Sequence, residues 1–565
     1  MFPKSISYQS LSSYINDERN LYKIFIALII FLSLLKLPPL FSTDIQPWDE
    51  GMYATRVHSI EKFGDFLDQS EHSVGKYYSS TQPPLLIWLA YFITRVTGIN
   101  AITLKLIVYI ISIFALFLLI KLGKLIDSLE VGFLAAMIIT STLIFNIFSK
   151  RFQFDMLFVL MVLLSVYFFF KYIEGENKKY LYFTGIAAGL CIMSKLVVGV
   201  LPLIVFFCAY FFIRKTTRYT IKDFFIIVII ALAVGMPWYI YLIIHTNFDA
   251  LKYTLDFHMY KRAVVGIEQN EKRTEILYYF NYFMNIVPFG ILVFYIIGKN
   301  ILNFKSISWK DKFLLIWFIV GFIIVSVTKS KLQSYTFLFF PPAALMIAGY
   351  IKNFKELKNK EKLLLFFLLL LNLIWYATEN YRTYTKEFGN YSLVHKLGIL
   401  GVILLILSVL LFFLRKVAIK VNYKKVLFTF VVLTFFVSNV YYLVKVPYWE
   451  NSNQLSPIKE IVDKDIEKKL LYVSSNYKFN PQFSYYFNGA DAGWGENSGY
   501  KYELADIKFG LDTIKRKLEN LDNDYFILVE KDYINRAEYP DSKLFIPPNF
   551  TLITKITGYE LYKNF

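Results

Sequence analysis

Between Leu21 and Val446 the chain repeats one pattern: an apolar run long enough to enter a bilayer, then a short polar connection. A helix rises about 1.5 Å per residue, so about 20 apolar residues cover a hydrocarbon core of about 30 Å. Such runs fall at Leu21–Phe41 and at about 101–120, 131–148, 155–173, 180–194, 197–213, 222–245, 275–298, 311–328, 332–351, 363–378, 394–414 and 424–446, which predicts thirteen spans. The first run lacks a small-residue cleavage site and many spans follow it, so it reads as a membrane helix. Leu85–Val96, opened by Pro83-Pro84, is too short to cross and reads as a helix lying in or re-entering the interface.

Charge sets the sidedness. The connections 121–130, 171–180, 214–222, 299–312, 352–362 and 415–425 are basic, and they are every second connection. Cytoplasmic loops carry the excess of Lys and Arg, so the N-terminus is expected inside and the C-terminus outside. The same rule absorbs the net charge of +18, which would otherwise suggest nucleic acid. Cys191 and Cys208 lie in apolar runs, with neither a disulfide framework nor metal-ligand spacing. Composition changes after Val446. Residues 1–447 therefore read as a polytopic α-helical membrane domain, and 448–565 as a small soluble α/β domain on the outer side. Leu470–Val473 and Tyr525–Val529 read as its buried strands, Asp506–Leu521 as a helix and Thr551–Leu561 as a hairpin. It has no Gly-rich phosphate loop or metal cluster, and reads as a lid or docking surface.

The long outer segments are 42–100 and 246–274, with short ones at 149–154, 195–196, 329–331 and 379–393. Asp49 and Glu50 follow the first span and open a helical pattern, so Asp49 is expected as N-cap and as an aimed base. The plain alternative is a pair of solvated loop carboxylates. Asp155 lies at the mouth of a span, where a carboxylate is costly and rarely idle, unless it only pairs with Arg151 at i−4. His258 and Arg262 share a helical face and suit an anion such as phosphate, or else anionic lipid headgroups. Lys331 in an outer turn, and Lys195, break the positive-inside pattern. Holding an anion at the surface would explain both. Together these groups suit a lipid with an anionic head, a carboxylate base for an acceptor hydroxyl, and cations for a departing phosphate.

The residues also follow a known order. Asp49-Glu50-x-x-Tyr53-Ala54 comes after the first span, then a Gly64-Asp65-Phe66 turn and Gln82-Pro83-Pro84-Leu85. Phe154-Asp155-Met156, Ser194-Lys195, Met236-Pro237-Trp238-Tyr239 and Lys331-Leu332-x-x-Tyr335 follow. Over roughly residues 20–350 this resembles the membrane-embedded GT-C glycosyltransferases of the protein mannosyltransferase and lipid A aminoarabinose transferase type. The resemblance implies a polyprenyl-phosphate sugar donor, undecaprenyl-linked in a bacterial inner membrane, and inversion at the anomeric carbon. It implies Asp49 as base, supported by Glu50 and Asp155, and Tyr53, Gln82, His258, Arg262, Lys331 and Tyr335 around the donor phosphate. No metal or other cofactor is expected. The acceptor would be a lipid, glycan or protein on the outer face. Gln82 and Met52 stand where the aminoarabinose branch carries basic residues. Lys76 and Arg56 are the nearby cations that could replace them. A transporter or flippase of lipid-linked glycans is the rival reading, and would need ionisable groups deep in several spans. A catalytically inactive scaffold is another.

Overall fold

A computed structural model describes residues 36–175, 177–195, 197–266, 289–353, 364–375, 454–465, 469–474, 481–488, 502–506, 511–521, 524–530, 546–556 and 558–564, with isolated positions between them. The expected span 394–414, the first part (424–434) of the expected span 424–446, the outer segment 379–393 and most of Leu21–Phe41 lie outside the described residues.

The membrane part is helical. The first helix described at length, α1 (Asp49–Phe63), is followed by the short α2 (Leu85–Thr97) and then α3 (Ala101–Ile126). Trp88 on α2 donates its indole N–H to Phe66 O (2.7 Å), which holds this short helix beneath α1. Further on come α4 (Asp155–Glu174), α5 (Lys179–Ser194), α6 (Ile221–Gly235) and α7 (Pro237–His245). Next are a π-helical turn at Thr254–Val265, α8 (Trp309–Val327) and α9 (Phe340–Lys352).

The count of thirteen uninterrupted spans is not reproduced. Among the described residues, α3 and α4 are long and apolar enough to cross alone, and α6 and α7 reach that length and hydropathy only as a pair, bent by 45°. Several expected spans are broken. The run 131–148 divides at Ser141-Thr142 into Leu129–Thr140 and Leu143–Phe148, and 332–351 begins as a 3-10 turn, Gln333–Leu338. The α6–α7 bend has a plain cause: Pro237 offers no N–H to the preceding turn. The residues after it are used as anchors. Trp238 donates to Leu67 O (2.8 Å), and the Tyr239 hydroxyl donates to Ile192 O (3.1 Å). Small residues bring α5 and α6 close together. A Cβ on Gly189 would lie 2.6 Å from Val234 Cβ, as expected where packing rather than hydrophobicity holds membrane helices together.

The loops sort by face. Lys299, Lys310 and Lys352, from the basic connections, pair with Glu361, Glu174 and Asp127 at 2.5–2.6 Å. Lys299 and Lys310 also line a cavity of about 560 Å³ at that end. The acidic and mixed segments gather at the opposite end, where the C-terminal part also docks.

That C-terminal part holds a five-stranded sheet of order β2-β1-β3-β5-β4. Its strands are β1 (Lys469–Ser474), β2 (Tyr502–Asp506), β3 (Tyr525–Glu530), β4 (Phe550–Ile556) and β5 (Tyr559–Asn564). β1 runs parallel to β2 and β3, while β5 is antiparallel to both β3 and β4. Side chains alternate along a strand, so both faces of β1 are buried in different company. Leu470 and Tyr472 pack with α10 (Ser456–Asp463), and Leu471 and Val473 with α11 (Leu511–Glu519). The sequence reading places a helix over 506–521; instead Asp506 ends a strand, and the helix starts at Leu511.

The C-terminal part is seated on α1. Asp44 accepts the backbone N–H groups of Leu455 and Ser456 (both 2.7 Å) and the Ser456 hydroxyl (2.8 Å), so a residue over 400 positions away caps α10. Gly51 lies directly under the backbone of 481–482: an added Cβ would be 2.3 Å from Gln482 N and 2.9 Å from Pro481 C. These are main-chain atoms, so no flexible side chain can yield. Gly51→Ala should therefore cost about 1–3 kcal/mol by overpacking. A lowered thermal midpoint checks this; an unchanged one would mean that the C-terminal part does not press on α1.

Candidate functional site

α1 starts abruptly. Trp48, at φ 68°, occupies its cap position without a side-chain cap, and Asp49 is the first helical residue rather than the N-cap expected from sequence. A non-glycine residue in the left-handed region is costly, and such residues cluster at functional sites. Here the turn is closed by Glu50. Its Oε2 accepts from Gln46 N (2.8 Å), and its Oε1 accepts from Phe152 N (2.8 Å). Adjacent helical residues point about 100° apart, so Asp49 and Glu50 cannot share one direction. Glu50 is fully buried in the scaffold, and burial raises its pKa against the opposing pull of Lys105 and the two amides. Asp49 faces a small cavity of about 50 Å³.

Six separate segments meet at that cavity. Asp49, Met52 and Tyr53 come from α1; Tyr78 and Gln82 from the stretch before α2; Phe154 and Asp155 from the start of α4. Lys195 arrives from the end of α5, Arg262 from the π-helical turn, and Leu332, Ser334 and Tyr335 from the segment before α9.

Three contacts define its polar side. Lys195 Nζ lies 2.5 Å from Asp155 Oδ1, and 5.2 Å from the centre of the Tyr335 ring. Arg262 Nη1 lies 3.5 Å from the Tyr335 hydroxyl. The turn carrying Arg262 is pinned by the backbone: Ser330 N donates to Arg262 O (2.9 Å), and Lys329 N to Ala263 O (3.1 Å). Tyr53 is buried beside Asp49 and Asp155. Burial first, and those carboxylates second, raise its pKa well above the ordinary phenol value, so it stays a neutral donor.

Of the nine site residues that the resemblance implies, Asp49, Tyr53, Gln82, Asp155, Arg262 and Tyr335 line the cavity. Three sit elsewhere. Glu50 is in the scaffold just described. His258 backs the wall: its ring nitrogens lie 3.1 Å from Thr81 Oγ1 and 3.4 Å from Gln82 Nε2. Lys331 donates to Val325 O (3.1 Å) and Ser326 O (2.6 Å), the last carbonyls of α8. A cation at a helix C-terminus answers both the free carbonyls and the dipole, so its position outside the positive-inside pattern needs no bound anion.

Arg151 is not the partner of Asp155. Asp155 begins its helix, so i−4 spacing does not bring the two together, and Arg151 pairs instead with Glu450 (3.1 Å). Neither replacement cation reaches the cavity either. Arg56 donates to Gln69 Oε1 (2.7 Å) and Ser79 O (3.0 Å), while Lys76 stands over Tyr77. The cavity's cations are Lys195 and Arg262. Lys195 is visible in the sequence as a breach of positive-inside, but its pairing across forty positions is not.

The architecture is the GT-C fold. The crystal structure of ArnT from Cupriavidus metallidurans bound to undecaprenyl phosphate is similar over 97% of this chain and 98% of that one, with a TM-score of 0.68 at 12% identity. Its apo form matches equally well. The family model for dolichyl-phosphate-mannose-protein mannosyltransferase matches residues 81–241. An uncharacterized protein of Aquifex aeolicus (strain VF5) is 22% identical over 335 residues, which cover 57% of this chain and 63% of that protein.

Proposed function

We propose that the protein is an inverting glycosyltransferase of a bacterial inner membrane. It moves a sugar from a polyprenyl phosphate to a lipid, glycan or protein acceptor on the outer face. The membrane domain, 1–447, carries the site, and 448–565 forms the outer domain. The observation that carries this reading is the convergence of Asp49, Asp155, Lys195, Arg262 and Tyr335 at one cavity in this fold. The undecaprenyl phosphate in the similar ArnT structure supports the donor class.

The chemistry follows from the groups present. Asp49 takes the proton of an acceptor hydroxyl as that oxygen attacks the anomeric carbon. The bond from that carbon to the phosphate oxygen breaks on the opposite side, which inverts the centre. The electron pair leaves with the polyprenyl phosphate. Arg262 and Lys195 face the growing negative charge, and neutral Tyr53, Tyr335 and Gln82 offer hydrogen bonds. Asp155 holds the Lys195 ammonium in place. Glu50, His258 and Lys331 act through the residues they position.

Arg262→Ala tests the phosphate role. A charge-assisted hydrogen bond is worth about 1.5–3 kcal/mol, so undecaprenyl phosphate should bind about 10- to 100-fold more weakly to the variant. Unchanged affinity in a calorimetric titration of the purified protein would reject the assignment.

A further inference from the structure

We propose that Glu450, on the segment leading into the C-terminal sheet, is a positioning residue that sets Asp49 against Asp155. What is being positioned rests on the function proposed above; the geometry stands without it.

Glu450 is 2% exposed, and it joins the two segments that carry the cavity carboxylates. Its Oε1 accepts from Arg151 Nε (3.1 Å), and Lys150 Nζ lies 3.9 Å from its Oε2. Its backbone oxygen accepts from Gln46 Nε2 (3.2 Å). Glu50 makes a second link between the same two segments, from Gln46 N to Phe152 N. The result is a closed ring: Glu450 to Arg151, along the chain to Phe152, across to Glu50, to Gln46, and back to Glu450. Asp49 leaves the ring next to Glu50, and Asp155 leaves it three residues beyond Phe152.

The ring has a firm base. Lys105 Nζ donates to Thr43 O, Thr43 Oγ1 and Asp44 O at 2.6–2.8 Å, which ties the segment before α1 to α3. Asp44 then caps α10, so the segment holding Glu450 is fastened on its far side too. Burial alone would raise the Glu450 pKa; Arg151, Lys150 and Lys105 together hold it below the usual carboxylate range, so the ring carries a charge at neutral pH. Three chain segments from distant parts of the sequence therefore meet at one buried ionic joint. Such joints are rigid when every member is satisfied. This one gives the C-terminal part a direct hold on the spacing within the cavity, although Glu450 does not line it.

The test uses the full-length protein in lipid nanodiscs and three variants: Glu450→Ala, Glu450→Gln and Arg151→Met. Hydrogen exchange is followed on peptides covering 44–53 and 149–157, with α3 and β3 as internal references. Glu450→Ala and Arg151→Met should speed exchange in both test peptides at least several-fold and leave α3 and β3 unchanged. Glu450→Gln keeps an oxygen for Arg151 and should recover part of the protection. With a labelled undecaprenyl-phosphate sugar, kcat should fall about 10- to 100-fold in Glu450→Ala while the donor KM stays within about twofold. Unchanged exchange in either test peptide overturns the proposal, and so does a raised KM at unchanged kcat. If the wild type transfers no sugar from any polyprenyl phosphate, the functional reading fails, and the exchange result alone decides whether Glu450 holds the two segments together.

Discussion

Asp49→Asn should lower sugar transfer by about 10²- to 10⁴-fold, the usual range for a lost general base. Asparagine keeps the shape of the side chain and its capacity to accept a hydrogen bond, but it cannot take the acceptor proton. The fold should survive the change. Asp49 is neither the cap of α1 nor the residue that closes the turn, because Trp48 occupies the cap position and Glu50 bonds Gln46 and Phe152. Undecaprenyl phosphate should still bind, since Arg262 and Lys195 remain. The expected profile is a normal thermal midpoint, normal lipid binding and a collapsed kcat. A variant with full kcat would remove Asp49 as the base and leave Asp155 as the remaining carboxylate in the cavity.

Lys195→Met should have the other large effect, and on two quantities at once. The Asp155 side chain is 7% exposed and that of Lys195 is 16% exposed, so the pair is shielded from water. Removing one partner of a buried pair leaves an uncompensated charge, at a cost of about 3–5 kcal/mol. The thermal midpoint should fall clearly. Sugar transfer should also fall, because the cavity loses one of its two cations. The double variant Asp155→Asn/Lys195→Met separates these effects. It removes the buried charge altogether, so stability should largely return while transfer stays low. Such non-additivity is expected of residues in contact. A Lys195→Met protein as stable as the wild type would show that the pair does not hold these two helix ends together.

Much of this site is legible in the sequence because membranes impose few rules, and those are strict. The alternation of basic connections gathers Asp49, Asp155, Lys195, Arg262 and Tyr335 on one side, and the structure brings those same residues to one cavity. What the sequence hides is local direction. Two adjacent carboxylates look like a pair until the helix turns them apart, leaving Glu50 with the amides of Gln46 and Phe152. Lys331 looks like an anion site until it is seen over the last carbonyls of α8. Arg151 looks like the partner of Asp155 until the helix is found to begin after it. Continuous apolar runs also conceal breaks, as at Ser141-Thr142, because hydropathy does not register side chains that bond the backbone, as the Ser141 hydroxyl does to Met137 O and that of Thr142 to Ile139 O. The docking of the C-terminal part has even less signal. Asp44 capping α10 and Gly51 lying under Gln482 join positions more than 400 residues apart, and no local pattern announces such a contact.

The central question is whether the cavity transfers sugar from a lipid phosphate. The most direct measurement is incubation of the purified protein, beside Asp49→Asn, with radiolabelled undecaprenyl-phosphate sugars and an envelope extract as acceptor, followed by separation of lipid, glycan and protein fractions. The expected result is label moving into one acceptor fraction with release of undecaprenyl phosphate, and almost none with the variant. Label that stays on the donor in both samples, or that transfers equally in both, would contradict the account.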